Sequence, residues 1–276
     1  MVSTVRQALT FGAEALGDVT DARVLLCHAT GLDSLQLAVH SNEPIDADAF
    51  EMYKSYVTRR QNHEPVAYIT GVREFMSLDF HVEPGVLIPR PETEHTVEYV
   101  MDICNGKQTK ILDICTGSGA IAVSLAHYLP YAAVTAIDIS ETAVRVARQN
   151  AAKHNVADRV NVVCADALQQ YTFDGGFDVI ASNPPYIPDS VVPGLDADVA
   201  EFEPHLALCG GEDGLLFYRA IAKNAPAVLN PGGRLVFEVG HDQAEAVRDI
   251  LSEDYCDIEF IRDLAGINRV VAAVLR

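Results

Sequence analysis

The chain has 276 residues, 49% of them hydrophobic and 21% charged, with a net charge of −19. This is ordinary globular composition, and it excludes disorder, collagen-like repeats and a coiled coil as whole-chain readings. The acidic balance opposes stable nucleic-acid binding, which rests on Lys and Arg neutralising phosphates. No apolar run approaches the ~20 residues that span a bilayer. The stretch from Met1 to Asp18, interrupted by Arg6 and Glu14, lacks the apolar core of a secretory signal. A soluble, cytoplasmic protein with no membrane partner is expected.

The first 71 residues carry helical periodicity. Val5, Ala8, Leu9, Gly12 and Leu16 share one face, and a second helix, capped by Thr20 or Asp21, runs to a stop at Gly31. Asp48 and Glu51 resemble a capping box for a helix bearing Phe50, Tyr53 and Val57. Pro65 to Gly71 has the Pro-first, Gly-last order of a short helix. The result is a small bundle over 1–71.

Residues 72–95 read as a strand–turn–strand connector, with Glu74 to Val82 as one arm, Pro84-Gly85 as the turn and Val86 to Ile88 as the return. A helix carrying Val97, Val100 and Met101 follows Glu94. From Lys110 onward, strands and helices alternate. Strands are predicted at 110–114, 133–137, 160–164, 177–182, 234–239, 258–261 and 270–275, with helices over 120–128 and 141–154 and a turn at Asn230 to Gly233. This alternation predicts an α/β domain over 96–276: a doubly wound, seven-stranded, mostly parallel sheet that binds ligands at the carboxyl ends of its strands.

The chemistry-bearing residues fall at those ends. Thr116-Gly117-Ser118-Gly119 links a strand to a helix, where glycines permit a sharp turn and close approach of a ligand. The spacing Gly117-x-Gly119-x-x-Ala122 also satisfies the dinucleotide fingerprint, so this turn alone does not separate NAD from S-adenosylmethionine. Asp138 ends the second strand of the sheet, placed to accept from ribose hydroxyls or to cap the next helix, a task Ser140 can take instead. Asp166 follows the third strand and can accept from an adenine amino group. Asn183-Pro184-Pro185-Tyr186 ends the fourth. Two prolines make a rigid turn. The Asn183 side-chain oxygen and the Pro184 carbonyl can each accept one N–H of a planar NH₂ group, with Tyr186 covering its face. The six cysteines form no C-x-x-C pair and the nine histidines no H-x-x-x-H spacing, so no metal is expected.

The glycine turn, Asp138 and Asn183 to Tyr186 resemble a class I methyltransferase acting on an amino nitrogen. Gly71-Val72-Arg73-Glu74-Phe75, Leu87 to Glu94 (Leu-Ile-Pro-Arg-Pro-Glu-Thr-Glu) and Phe202-Glu203-Pro204 narrow this. Together they resemble the HemK/PrmC family, glutamine methyltransferases of peptide chain release factors, over essentially the whole chain. The resemblance implies a class I fold. The helical bundle is expected to recognise the protein substrate, because every cofactor-like residue lies after residue 110 while the first 70 show only helix-face patterning. The resemblance also implies S-adenosylmethionine as methyl donor, S-adenosylhomocysteine as product, and the glutamine of a Gly-Gly-Gln motif as acceptor. Asn183 and Pro184 would hold the acceptor amide, with Pro185, Tyr186 and Phe75 around it. Arg90 would shape the entrance, or else pair with Glu92 or Glu94. Cys115, Thr116, Gly117, Ser118, Gly119, Asp138, Asp166, Ala167 and Asn183 would touch the cofactor. Cys115 stands where the family usually has glycine, and Ala167 offers no ring to stack on adenine. Release factors would be the partners of a monomeric enzyme. The rival readings are a glutamine methyltransferase of a large-subunit ribosomal protein, an adenine amino-group methyltransferase, a nicotinamide oxidoreductase and a binding module without turnover.

Overall fold

A computed structural model describes residues 4–171 and 174–276, which form two units, 1–72 with 196–202 and 73–195 with 203–276. The first three residues of the expected 1–71 bundle lie outside the described residues.

The smaller unit is built of helices α1 (Val5–Leu16), α2 (Val19–Thr30), α3 (Ser34–Val39), α4 (Ala47–Gln61) and α5 (Val66–Thr70). Each cap has a local chemical reason. Thr4 and Gln7 form a reciprocal capping box on α1, and Gly17, Gly31 and Gly71 end α1, α2 and α5 in the left-handed conformation that glycine adopts freely. The start of α2 is capped by Asp18, not Thr20 or Asp21, and α4 by Asp46, not Asp48. In both cases a carboxylate two residues upstream reaches the first free N–H groups. The expected pattern did not identify α3, whose Leu35 and Val39 are exposed; its signal was the capping box of Asp33 with Gln36. Tyr53 fills the centre, its hydroxyl donating to the Ala22 carbonyl oxygen at 3.1 Å. Gly12 makes room for it, because a Cβ there would lie 1.8 Å from that hydroxyl oxygen. Arg60 pairs with Asp21 at 2.8 Å and with Asp198 at 3.5 Å.

In the larger unit, β1 (Val72–Phe75) and β2 (Leu78–His81) form a hairpin whose turn is Met76-Ser77, not Pro84-Gly85. Both turn residues have positive φ, 51° and 57°, as a two-residue turn matching the strand twist requires. Val86 to Ile88 is not a strand. A short 3₁₀ turn at Pro91–Thr93 leads into α6 (Glu94–Cys104). Then come β3 (Thr109–Ile114), α7 (Ala120–Tyr128), β4 (Ala132–Asp138), α8 (Glu141–Lys153), β5 (Val160–Cys164) and β6 (Phe177–Ser182). The one-turn helix α9 (Ala197–Ala200) belongs to the smaller unit; in the larger one, α10 (His205–Leu208) precedes α11 (Leu216–Asn224), β7 (Leu229–Glu238), α12 (Ala244–Leu251), β8 (Tyr255–Arg262) and β9 (Asn268–Leu275). Asn230 to Gly233 lies inside β7, where the register to β6 shifts, and is not a turn before it.

The seven-stranded sheet has the order β5-β4-β3-β6-β7-β9-β8, parallel from β5 through β7, with β9 and β8 antiparallel. Alternate residues feed two cores: Ile111 packs with α6, α7 and α8, whereas Leu112 packs with α11 and α12. Burial on both faces explains the near-continuous apolar strands. The chain reverses its direction of strand addition at β3, so the carboxyl ends of β3, β4 and β6 frame a crevice.

Candidate active site

An open cleft enclosing about 1080 Å³, including its mouth, lies over those strand ends. Its floor is the turn after β3. Cys115 has φ +62°, a left-handed value that costs an L side chain about 1 kcal/mol and costs glycine nothing. Thr116 N–H donates to the Ile137 carbonyl oxygen at 3.0 Å, and Gly117 N–H donates to Asp138 Oδ2 at 2.9 Å, fastening the turn to β4. A Cβ built on Gly117 (φ +55°) meets only open space, so the turn leaves room for a ligand. One on Gly119 (φ +81°) would press on Ala147 at 3.0 Å, so that glycine serves the packing of α7 on α8.

Asp138 also accepts from Ser140 N–H at 2.9 Å, and burial raises its pKa. Ser140, not Asp138, caps α8. Asp113, which sequence reasoning missed, is fully buried beneath the turn. Its Oδ2 accepts from the Thr116 hydroxyl at 2.6 Å and from Ala122 N–H at 3.1 Å, and burial pushes its pKa up to about 7. Its signal was an acidic residue inside the apolar run of β3, since a buried polar residue is the informative exception in a core. Asn150 on α8 is another such brace, donating to the Ser118 carbonyl oxygen at 2.8 Å and to that of His81 at 3.0 Å.

On the other side stands the turn after β6. The Ser182 hydroxyl donates to the Ile114 carbonyl oxygen at 2.6 Å, tying β6 to β3 at their ends. Asn183 Nδ2 donates to Thr93 Oγ1 at 3.0 Å. The Tyr186 carbonyl oxygen accepts from Gln243 Nε2 at 2.9 Å, and burial raises the Tyr186 pKa. Gly210 backs this segment closely: a Cβ there would lie 2.7 Å from Tyr186 Cα.

Cys115, Thr116, Gly117, Ser118, Asp138, Asp166, Ala167, Asn183, Pro185 and Arg90 all line the cleft. Gly119, Pro184 and Tyr186 flank it without lining it. Phe75 is buried in the core instead, edge-on to Phe80 at 5.9 Å, so its ring supports the hairpin and is not a wall of the cleft. Arg90 pairs with neither Glu92 nor Glu94; its guanidinium donates to Glu203 Oε1, the buried carboxylate of Phe202-Glu203-Pro204. Glu94 is otherwise engaged, accepting from Met76 N–H at 2.7 Å. Phe217 on α11 adds an aromatic ring to the wall, close in sequence to no recognisable motif.

No helix among the described residues is long and apolar enough to cross a membrane, and no cluster of His, Cys, Asp and Glu among them could hold a metal ion.

Residues 6–71 match the PrmC N-terminal domain and residues 92–193 the methyltransferase small domain. The chain is 42% identical to a release factor glutamine methyltransferase of Clostridium acetobutylicum, over 92% of this chain and 90% of that protein. It is 43% identical to one from Moorella thermoacetica over 99% of both. A methyltransferase from Pyrococcus furiosus shares the fold at 19% identity and a TM-score of 0.55, covering 80% of this chain and 98% of that one. On sequence and architecture together, the chain belongs to the release factor glutamine methyltransferase family.

Proposed function

We propose that this enzyme methylates the side-chain amide nitrogen of the glutamine in the Gly-Gly-Gln motif of peptide chain release factors. The observation that carries the reading is the presentation of Asn183. Its Nδ2 donates to Thr93 at 3.0 Å and the residue lines the cleft, which leaves Oδ1 as the end of the carboxamide free for an acceptor N–H. The cleft fits S-adenosylmethionine: the Gly117 turn leaves space, and Asp138 and Asp166 place carboxylates in the wall of a site for a cationic nucleoside. When bound, that group supplies a methyl on a sulfonium.

The chain's own task is orientation. Asn183 Oδ1 and the Pro184 carbonyl oxygen accept the two N–H groups of the acceptor amide. An amide lone pair is delocalised into its carbonyl; two acceptors favour pyramidalisation and turn the lone pair toward the methyl. Holding the reacting atoms in line supplies most of the advantage, and no strong base is required. Asp138 takes the ribose hydroxyls and Asp166 the adenine amino group. Tyr186, with its carbonyl held by Gln243, keeps the Pro-Pro turn in place. The helical bundle supplies recognition of the intact protein substrate.

The test offers labelled S-adenosylmethionine with release factor, ribosomal protein and oligonucleotide acceptors in parallel, using wild type, Asn183→Ala and Asn183→Asp. Label should enter the release factor, and Asn183→Ala should lower the single-turnover rate roughly 10²–10³-fold, the scale for losing one oriented polar group. Asn183→Asp, which keeps an acceptor oxygen, should be milder. Near wild-type transfer by the alanine variant would remove Asn183 from the chemistry.

A further inference from the structure

Within the Pro-Arg-Pro-Glu-Thr-Glu run, Thr93 is the residue that accepts from Asn183 Nδ2. Thr93 closes the 3₁₀ turn before α6 and is 4% exposed, yet its hydroxyl reaches Asn183, 90 residues away in sequence. Behind it lies Glu238, the last residue of β7 and 1% exposed, a buried carboxyl near enough to Thr93 for the threonine hydroxyl to favour its charged form. Glu238 Oε2 has no partner among the described residues. A threonine whose hydroxyl sits between a carboxamide and a buried carboxyl fixes a direction.

We propose that Thr93, backed by Glu238, is the positioning residue that decides which end of the Asn183 carboxamide faces the acceptor nitrogen. The inference rests on the reading that Asn183 grips that nitrogen. An asparagine amide has an acceptor end and a donor end of nearly equal size, and rotation by half a turn exchanges them. Presenting NH₂ to the NH₂ of a glutamine would set donor against donor. A threonine hydroxyl has one proton to give. An ionised carboxylate only accepts, so Thr93 donates to Glu238 and its oxygen is left to accept from Asn183 Nδ2. The chain then runs one way, from Asn183 through Thr93 to Glu238, with Asn183 Oδ1 facing the cleft. Flipping Asn183 would draw the Thr93 proton toward Oδ1 and leave a buried carboxylate without its donor, which low-dielectric surroundings penalise.

Protonation removes this directionality. Burial pushes the Glu238 pKa up to about 7, opposed by the Thr93 hydroxyl. Of the charged groups around it, Glu92 raises the pKa further, whereas Arg269 and Arg90 lower it; Tyr186 and Tyr218 also face it, and the Tyr218 hydroxyl donates to the Glu238 backbone carbonyl oxygen at 2.9 Å. A protonated Glu238 can donate to Thr93, which frees the threonine proton for Asn183 Oδ1. Turnover therefore falls as pH drops through about 7.

The experiment measures single-turnover methyl transfer to intact release factor at saturating cofactor, with cofactor affinity by calorimetry as the check on folding. The variants are Thr93→Val, Thr93→Ser, Glu238→Gln, the Thr93→Val/Glu238→Gln double and Asn183→Ala. Thr93→Val should slow transfer roughly 10–100-fold, the scale of a misoriented reacting group, while its cofactor affinity stays within about threefold. Thr93→Ser, which keeps the hydroxyl, should restore most of the rate. Glu238→Gln should flatten the acid limb of the pH profile and add nothing in the Thr93→Val background, since the two residues act through one contact. If Asn183→Ala is slow but Thr93→Val transfers within about twofold of wild type, the positioning role is wrong while the Asn183 reading stands. If Thr93→Ser is as slow as Thr93→Val, or if Glu238→Gln keeps the acid limb, the role is equally overturned. If Asn183→Ala itself transfers at the wild-type rate, the underlying reading has failed.

Discussion

Asp138→Ala separates the bracing of the glycine turn that this carboxylate performs from the ribose contact proposed for it. The structure shows it accepting from the backbone N–H of Gly117 and of Ser140, both at 2.9 Å. A carboxylate offers about four acceptor positions, so two remain for the two ribose hydroxyls of an adenosine-containing cofactor. Hydrogen bonds to a charged group contribute about 1.5–3 kcal/mol, and losing the ribose pair should weaken cofactor binding roughly ten- to a hundredfold. Losing the backbone pair also loosens the turn, but relief of the carboxylate's desolvation offsets part of that. The net loss of stability should be about 1–3 kcal/mol by chemical denaturation. The two routes to weaker binding are told apart by calorimetry with a cofactor analogue lacking both ribose hydroxyls. Wild type should bind the analogue more weakly than the parent, whereas Asp138→Ala should bind the two alike. Unchanged affinity for the parent in a folded variant refutes the ribose contact. An analogue penalty as large in the variant as in wild type means that Asp138 acts only by holding Gly117.

Three further outcomes follow from particular contacts. Arg90→Ala removes the guanidinium that pairs with the buried Glu203 carboxylate and should destabilise by about 3 kcal/mol; Arg90→Ala/Glu203→Gln should regain part of that in urea unfolding, and a double variant no more stable than the single would contradict the pairing. Cys115→Gly should change stability by less than about 1 kcal/mol, because relief at φ +62° offsets the lost thiol packing, whereas β-branched Cys115→Val at that backbone should lose about 2 kcal/mol or more. Gly210→Ala forces a Cβ onto the Tyr186 backbone and should cost about 1–3 kcal/mol, with turnover falling more than cofactor affinity; a variant with wild-type turnover would show that Tyr186 can shift without moving Asn183.

What was legible in the sequence was short-range. The range of α7 and those of β5 and β6 can be read from apolar runs bounded by Gly, Asp and Asn, because each run is complete within itself. The misplaced caps of α2 and α4 mark the same logic at its edge: Thr20, Asp21 and Asp48 are all cap-forming types, and only the backbone path selects Asp18 and Asp46. The hairpin turn at Met76-Ser77 carries neither Gly nor Asn, so no residue type announces it. Asn230 to Gly233 carries every turn signal and yet lies within β7, because the neighbouring strand absorbs the irregularity as a register shift. In the cleft, the residues on the glycine turn and at the ends of β4 and β6 were legible for the same local reason. The pairing of Glu203 with Arg90 and the burial of Glu238 beside Thr93 were not, since the partner of each stands on a different element.

That division explains why the two most specific motifs of this chain occur together. Taken alone, Asn183-Pro184-Pro185-Tyr186 is a rigid turn with an amide whose orientation it does not set, and Pro91-Glu92-Thr93-Glu94 is a helix entrance. The fold joins them: Thr93 spends the donor end of Asn183, Glu94 holds the hairpin at Met76, and Arg90 reaches Glu203. Each of these contacts turns a polar group inward at a place where water would otherwise satisfy it. An enzyme that must hold a weakly nucleophilic amide gains from such pre-formed acceptors, because a side chain already fixed in the productive orientation need not be ordered again when the substrate arrives. On the proposed reading, the run before α6 serves the chemistry without touching the reacting atoms. A chain carrying the Asn-Pro-Pro-Tyr turn without a hydroxyl at the position of Thr93 would need another donor-accepting group to hold its asparagine the same way round.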